Sequence, residues 1–505
     1  MLDAPSRWTT AGQTRGLDPL AMLGPIEQLY QKGLLPGFSS VTTRIRYYSF
    51  HAWWLTRYAD AKGGQSTSQE IFQDHTRRVE ALFALSGLAA KPDETGLAGY
   101  FFARDKLAEA VDPVDFRRET DRQSGEKDRY LSPMGGAFPG IYAGQMEEIG
   151  LISKAKNHDL MVPTKLGRRL AAAFEAVIKD QGDAFLAVAE EGVVSRDDLA
   201  RFSVFAPSGI DPHGEEAELL RALLMGYEGP EDSGECRGAT LRAILEMAAA
   251  HEDAGFRNGV SANGLRWEWH AQRDSAVTDV VKLWAAYQAG DVLRTSYEAL
   301  LRHATLILEE YPDGTSLSGL VGEISAPLSG QSFRNWRGGV DEAYRETDFE
   351  ELQESALVRG ASLDEIIAPV ARLARLWSED MDVLEDAYPP TNEGQTVYSE
   401  LKLIKKLDSA SAERGFAQIL DERVIRRHLR VAARKFHGQN NYTFLIEAES
   451  GTVRARESRT VEASGPRLGT AVQFLNDICL LKDGRITALG RRWMHRRENS
   501  LGGSA

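Results

Sequence analysis

Five arginines recur at helical spacing near the C-terminus, in the segment DERVIRRHLRVAARKF at 421–436. They are Arg423, Arg426, Arg427, Arg430 and Arg434. Guanidinium groups bind phosphate through paired N–H donors, so such a stripe is typical of a surface that contacts double-stranded DNA. The alternative is a solvated face that pairs with the acidic helical region 341–386. Both interpretations are compatible if the arginines pair with the acidic region in an autoinhibitory contact that nucleic acid releases.

Two segments of the chain resemble each other without gaps, GIYAGQMEEIGLI at 140–152 and GTAVQFLNDICLL at 469–481. Each is followed by a turn and by a second phrase, TKLGRRL at 164–170 or TALGRRW at 487–493. Both copies therefore predict a helix, a brief hairpin and a threonine-capped helix. This order is typical of a winged-helix domain. The alternative is a generic helix–hairpin–helix packing unit, and winged helices also serve as protein-binding modules.

The two copies differ in their polar residues, and this difference predicts different partners. In the second copy, Gln473 and Asn476 have side chains that can read base edges. The arginines that follow are Arg485, Arg491, Arg492, Arg496 and Arg497, and they suit phosphate. The first copy carries Glu147 and Glu148, which phosphate would repel, so it is expected to bind protein. Its candidate contacts to a partner or a phosphate are Lys154, Lys156, Arg168 and Arg169.

Arg44 and Arg46 lie in an aromatic-rich helix predicted near 41–58. Burying an unpaired charge is costly, so both arginines need partners. They could bind a phosphate or a partner's carboxylates, or they could form internal ion pairs with the acidic body.

No convincing catalytic site is visible. Glu400-x-Lys402 has the outline of a metal-dependent nuclease motif, but LKLIKKL has the spacing of a helix instead of the strand that such a site needs. Trp267 and Trp269 could stack bases, although their alternation better suits a half-buried strand. The sequence contains no phosphate-binding loop and no zinc-protease or esterase motif, so neither a metal nor a cofactor is expected. The protein is interpreted as non-catalytic, with a nuclease as a second alternative.

Charge is distributed unevenly along the 505 residues. The net charge is -14, yet residues 421–497 contain sixteen Lys or Arg against eight Asp or Glu. The excess suggests either a local nucleic-acid site on an acidic body or docking of one part of the chain on another, and the alternative is chance variation of the surface. The two cysteines are far apart, and no apolar stretch reaches the roughly 20 residues of a membrane span. A cytoplasmic protein without membrane contact is therefore expected.

The periodicity predicts a mainly α, multidomain protein with two winged-helix-like segments. The expected divisions are an N-terminal helical domain at 1–125, a winged-helix-like domain at 126–190 and a partly acidic helical domain at 191–388. Residues 389–505 form the last division, after a break at Pro389-Pro390, and combine the arginine helix with the second winged-helix-like segment.

The phrase LLPGFSSVTTRIRYYSFHAWWL at 34–55 resembles the opening of an uncharacterised prokaryotic family associated with bacterial defence islands. Residues 283–301 and the C-terminal winged-helix phrase are also similar to that family. The resemblance implies a subunit of an anti-phage or foreign-DNA complex, with an ATPase, helicase or nuclease as partner. The main expectation is a DNA-engaging subunit. The alternative is a kleisin-like architectural subunit whose winged helices bind an ATPase. A homo-oligomer is left open.

Overall fold

A computed structural model describes residues 18–38, 41, 44–62, 68–121, 125, 130–131, 136–155, 161–275, 278–389, 395–439 and 441–496. Helices dominate, which confirms the mainly α fold. They are α1 Leu23–Gln28, α2 Arg46–Lys62, α3 Gln69–Ala90, α4 Tyr100–Ala108, α5 Arg117–Thr120, α6 Ala143–Glu148, α7 Lys165–Ile178, α8 Gln181–Glu191, α9 Arg196–Arg201, α10 Glu215–Leu224, α11 Glu231–Asp253, α12 Ala262–Ala271, α13 Asp279–Leu308, α14 Leu317–Ser325, α15 Phe333–Ala343, α16 Phe349–Leu357, α17 Leu363–Leu376, α18 Met381–Ala387, α19 Val397–Leu407, α20 Ala412–Gln418, α21 Arg426–Gln439, α22 Leu468–Asp477 and α23 Ala488–Met494.

Strands are short and pair antiparallel. They are β1 Val114–Asp115, β2 Ile152–Lys154, β3 Met161–Pro163, β4 Val193–Val194, β5 Thr315–Ser316, β6 Ile446–Glu449, β7 Thr452–Ala455, β8 Leu481–Lys482 and β9 Arg485–Ile486. β1 pairs with β4, β2 with β3 and β8 with β9, while β5, β7 and β6 form one three-stranded sheet. Within the described helices, none combines the length and the apolar character that a bilayer span requires.

The chain divides into two compact units, and each is discontinuous in sequence. Unit 1 contains Met1–Leu29 and Arg266–Gly465, and unit 2 contains Tyr30–Leu265 and Pro466–Ala505. This division differs from the four consecutive segments expected from the sequence. The break at Pro389-Pro390 falls inside unit 1, and Pro390 itself lies outside the described residues. The arginine segment and the second winged-helix-like segment, expected in one domain, belong to different units.

Unit 2 is built around α2, which buries every residue from Arg46 to Leu55. α2 packs on α7, and the ring of Phe50 stacks on Phe83 of α3 with centroids 3.9 Å apart. The C-terminal segment joins the same core, because Phe474 of α22 stacks on Phe38 at 5.0 Å. Helix α11 packs against β9 and α23. The two similar segments therefore share one hydrophobic core.

Unit 1 is built around the 30-residue helix α13, which packs against α16, α17, α18 and α19. Asp291 on α13 is fully buried and accepts hydrogen bonds from Arg266 and Arg294, both at 2.9 Å. A buried carboxylate needs such compensation, because an unpaired one is costly to bury. The Ser450-Gly451 hairpin predicted from the sequence is present between β6 and β7, and both residues have positive φ angles of 52° and 82°.

The strand expected around Trp267 and Trp269 is a wrong prediction. Both tryptophans lie in helix α12. Trp269 is 1% exposed, with its ring centroid 5.5 Å from that of Trp284. Trp267 packs against Phe349 at 5.7 Å. Tertiary packing has overridden the period-two pattern, and these rings serve the core of unit 1.

Candidate nucleic-acid interface

The two similar segments of unit 2 fold into the same local structure, a helix, a hairpin and a capped helix. Thr164 accepts a hydrogen bond from Gly167 N at 3.1 Å, and Thr487 accepts one from Gly490 N at 2.9 Å. Each hydroxyl also donates to a carbonyl in the turn after the preceding helix, that of Gly150 in one copy and of Cys479 in the other, both at 2.7 Å. The hydroxyl therefore ties the two helices of each copy together.

The glycine of each Thr-x-Leu-Gly phrase is required by close packing. A Cβ added at Gly167 would lie 2.0 Å from the carbonyl oxygen of Leu151, and one at Gly490 would lie 2.1 Å from that of Leu480. The turn residues Gly150 and Cys479 both have positive φ angles, of 80° and 59°. The same backbone solution appears twice, which accounts for the repeat seen in the sequence.

Two polar side chains of helix α22, which was expected to read base edges, form hydrogen bonds with other groups of the protein. The amide nitrogen of Gln473 donates to Asp477 at 2.9 Å, and the amide oxygen of Asn476 accepts from Gly484 N at 3.3 Å. Phe474 and Leu475 of the same helix are fully buried. Gln473 and Asn476 thus orient Asp477 and the β8–β9 hairpin, and their assignment as base-reading residues stays a prediction.

Asp477 joins helix α22 to the segment that precedes α2. Its carboxylate lies 2.5 Å from Arg44 Nη1 and accepts from Ile45 N at 3.2 Å. Arg44 also pairs with Glu94 at 2.6 Å, and the side chains of Asp477 and Glu94 are 3% and 0% exposed. Burial raises the pKa of Asp477, and Arg44 opposes that rise. Arg44 is thus an internal cross-link of unit 2.

Arg46 is also internal. Its guanidinium makes two 3.2 Å hydrogen bonds to Glu216 and donates to the carbonyls of Val204 and Ala206, and it is fully buried. The assignment of Arg44 and Arg46 to a phosphate or a partner is therefore corrected. The internal ion pair, the alternative weighed from the sequence, is the observed arrangement, because an arginine on a buried helix face must be compensated locally.

The second copy keeps some of its cations in ion pairs. Arg491 pairs with Glu252 and Asp253 at 3.0 and 2.9 Å, and Arg496 pairs with Glu218 at 3.1 Å. The Arg496 guanidinium also lies 4.3 Å from the centre of the Trp493 ring. These contacts lower the positive potential that either arginine offers to a phosphate.

Three exposed cations remain on the second hairpin and on the helix after it. Lys482 and Arg485 face each other across the β8–β9 pair, and Arg492 lies on α23. Within the part of the chain that the structure describes, none of the three forms an ion pair. Lys482 is not among the DNA contacts predicted from the sequence, although its place at the turn of the predicted hairpin was the available signal. Arg497 lies outside the described residues.

The first copy has the opposite electrostatic character. Arg168 pairs with Asp60 and Arg169 with Glu228, both at 2.9 Å. Lys154 is exposed on β2, whereas Lys156 lies outside the described residues. Helix α6 exposes Glu147 and Glu148. This copy therefore presents an acidic helix and largely neutralised arginines.

The arginine segment of unit 1 does not form one continuous stripe. Arg423 Nε lies 3.1 Å from both oxygens of the fully buried Glu400, and Arg426 pairs with Asp421 at 2.9 Å. Arg427 donates to the carbonyl of Leu20 at 2.9 Å. The acceptors of these contacts, Glu400, Asp421 and Leu20, lie outside the acidic region 341–386.

The distal end of this segment exposes two further arginines. Arg430 and Arg434 lie on the surface of α21. The guanidinium groups of Arg423 and Arg427 hold elements of unit 1 together, and their assignment as DNA contacts stays a prediction. Arg426 is exposed, but its charge is balanced by Asp421.

The nuclease outline is not supported by geometry. Glu400 lies on helix α19, is fully buried and accepts a hydrogen bond from Tyr297 at 3.2 Å, so its carboxylate has no access to a substrate. Lys402 is exposed, over the ring of Tyr398. Within the described residues, no group of three His, Cys, Asp or Glu side chains could hold a metal ion.

Comparisons of this chain with protein-family models, with curated proteins and with solved structures found no match.

Proposed function

We propose that this protein is a non-catalytic, DNA-engaging subunit of a bacterial anti-phage or foreign-DNA defence complex. The carrying observation is the contrast between its two helix–hairpin–helix copies. Among the described residues of the two copies, the second exposes three cations without ion pairs, Lys482, Arg485 and Arg492. The first exposes fewer such cations, Lys154 among them, beside two glutamates, and its arginines are paired. The resemblance of residues 34–55 to a defence-island family supports the biological setting.

The proposed contact is to the DNA backbone. Lys482 and Arg485 lie on the β8–β9 hairpin, the proposed wing, which can lie along a phosphate ridge without entering a groove. Gln473 and Asn476 each hold a hydrogen bond within the protein, so no base preference is proposed. Binding through a few cations is weak and sensitive to salt, which suits a subunit that acts within a larger assembly.

The test is fluorescence anisotropy of a labelled duplex with the purified chain, at 50 and 200 mM salt. The K482Q/R485Q/R492Q variant removes the three exposed cations. The control, K154Q/R168Q/R169Q, makes the same charge change on the first copy. Wild type and control should bind alike, whereas the first variant should lose most of its affinity and its salt dependence. No binding by folded wild type at 50 mM, or equal loss in both variants, would refute the proposal.

A kleisin-like architectural role is the second candidate. The exposed Glu147 and Glu148 of α6 favour it, since an acidic helix face suits a basic protein surface, such as that of an ATPase partner. This role predicts that E147K/E148K disrupts co-purification with the cognate partner, while K482Q/R485Q/R492Q leaves it intact. The reverse pattern would argue against it.

A further inference from the structure

Unit 1 contains a cavity of about 570 Å³ among helices α15, α17, α18 and α19. This volume lies within the range of small-molecule sites. The buried side chains of Leu401 and Ile404 form an apolar part of its wall, and Met381 adds to it. The rest of the lining is strongly polar, so the cavity has the two-sided character of a site for an amphiphilic ligand.

The charged groups of the cavity do not cancel. Four cations line it, Arg334, Arg337, Arg375 and Lys405, against two carboxylates, Asp341 and Asp408. Both carboxylates are already occupied. Asp408 holds Arg337 at 3.1 Å, and Asp341 lies 2.5 Å from Arg375.

Two cations are left over. Arg334 and Lys405 are exposed, and neither forms an ion pair within the described ranges of the chain. A pocket that keeps unpaired donors and an excess of positive charge is adapted to an anion with several oxygen acceptors.

Helix termini at the cavity reduce this excess without reversing it. Helices α17 and α19 end near the lining residues Arg375 and Lys405, and a helix C-terminus contributes about -0.5 charge. The first turn of α15, with Arg334 and Asn335, contributes about +0.5. The excess of two full charges therefore falls to a net value of roughly +1.5.

We propose that this cavity binds a small phosphorylated molecule of nucleotide size. Its phosphate would lie against Arg334 and Lys405, and its less polar portion against Leu401 and Ile404. The proposal does not depend on DNA binding by unit 2, since the residues involved belong to unit 1 alone.

The test is calorimetric titration of the full-length chain with three probes, AMP, inorganic pyrophosphate and adenosine. AMP and pyrophosphate should bind at one site per chain, and adenosine should not. R334Q/K405Q should weaken AMP binding by tenfold or more. The matched control is R345Q/K406Q, which removes two exposed cations of unit 1 outside the cavity lining and should bind AMP as wild type does.

Three results would overturn the proposal. The first is no saturable binding of either phosphate probe by the folded chain. The second is adenosine binding as tightly as AMP, which would assign recognition to the apolar wall. The third is displacement of AMP by a DNA duplex in a manner sensitive to R334Q/K405Q, which would make the cavity a nucleic-acid contact.

Discussion

Replacing Arg44 with methionine should undock the C-terminal segment of unit 2. Arg44 is the counter-ion of two buried carboxylates, Asp477 at 2.5 Å and Glu94 at 2.6 Å. It also donates to the carbonyl of Thr95 at 2.9 Å. Methionine fills a similar volume but has no charge, so two carboxylates would be left in a cluster that is at most 3% exposed.

The expected cost is large because the charges left behind are buried. Removing one partner from a buried ion pair costs about 3–5 kcal/mol. At 1.4 kcal/mol per factor of ten, the equilibrium for local opening should rise by about 10² to 10⁴. An exposed pair is worth about 0–1 kcal/mol, so R168M, which breaks the half-exposed pair with Asp60, is the matched control.

The pH dependence has a definite sign. Burial already raises the pKa of Asp477, and loss of Arg44 should raise it further. An acid whose folded-state pKa exceeds its unfolded value binds protons better when folded, so stability falls as pH rises between the two values. Relative to wild type, R44M should therefore recover part of its stability when the pH is lowered from 7.5 to 5.

Hydrogen exchange read by mass spectrometry suits this test, because it reports local opening even if the two units unfold separately. Peptides from 466–494 and 44–62 should exchange faster in R44M at pH 7.5, and R168M should match wild type. Unchanged exchange of 466–494 in R44M would refute the cross-link. Equal acceleration in R168M would show that the effect is not specific to the buried cluster.

Two further predictions concern packing and pH. Gly490→Ala and Gly167→Ala should each lower the midpoint of thermal unfolding, because the added Cβ would collide with a carbonyl oxygen. Gly339→Ala, in open space on α15, should instead stabilise the folded state by about 1 kcal/mol. Equal thermal midpoints for the three variants would contradict this prediction. His428 Nε2 accepts a hydrogen bond from Leu445 N at 2.9 Å, and burial lowers the pKa of His428 to about 4. Because the unfolded chain then binds a proton more readily than the folded one, the free energy of unfolding should fall by about 2 kcal/mol between pH 7 and pH 5. In denaturant unfolding, His428→Gln should lose less unfolding free energy than wild type between pH 7 and pH 5. The same pH dependence in both proteins would refute this role of His428.

The repeat was predictable because its signals are local. A threonine before a helix, a glycine at a tight contact and an apolar residue at the helix exit act over a few positions, and both copies retain them. The hairpin at Ser450-Gly451 was found for the same reason. Short-range patterns of this kind give element type well, although they say little about which surface an element presents.

The segment at the start of α11 shows where local signals mislead. The segment EGPEDSGECRG at 228–238 has the composition of a loop, yet most of it belongs to α11. Gly238 lies inside that helix, and glycine is required there because a Cβ would be 2.3 Å from the carbonyl oxygen of Met225. Such glycines mark a close approach between elements, and no sequence window contains that information.

The partners of the arginines were the least predictable feature. Arg44 and Asp477 are 433 residues apart, and Arg46 and Glu216 are 170 apart. A stripe of guanidinium groups reads the same in sequence whether its counter-ions come from DNA or from the protein. The cavity of unit 1 was missed for a related reason, since its cations come from three separate helices.

The salt dependence of DNA binding measures how many cations contact phosphate, and this number can be smaller than the number of arginines in the predicted interface. If all ten arginines of the predicted interface contacted phosphate, log Kd would change with log salt by a slope of about 9. Many of these groups, such as Arg423 and Arg491, are committed to protein acceptors. Lys482, Arg485 and Arg492 alone give a slope of about 2.7, or roughly a 40-fold loss of affinity between 50 and 200 mM salt. A slope near 9 would mean that the internal pairs open on binding, and a slope near zero would mean that the second hairpin does not contact phosphate.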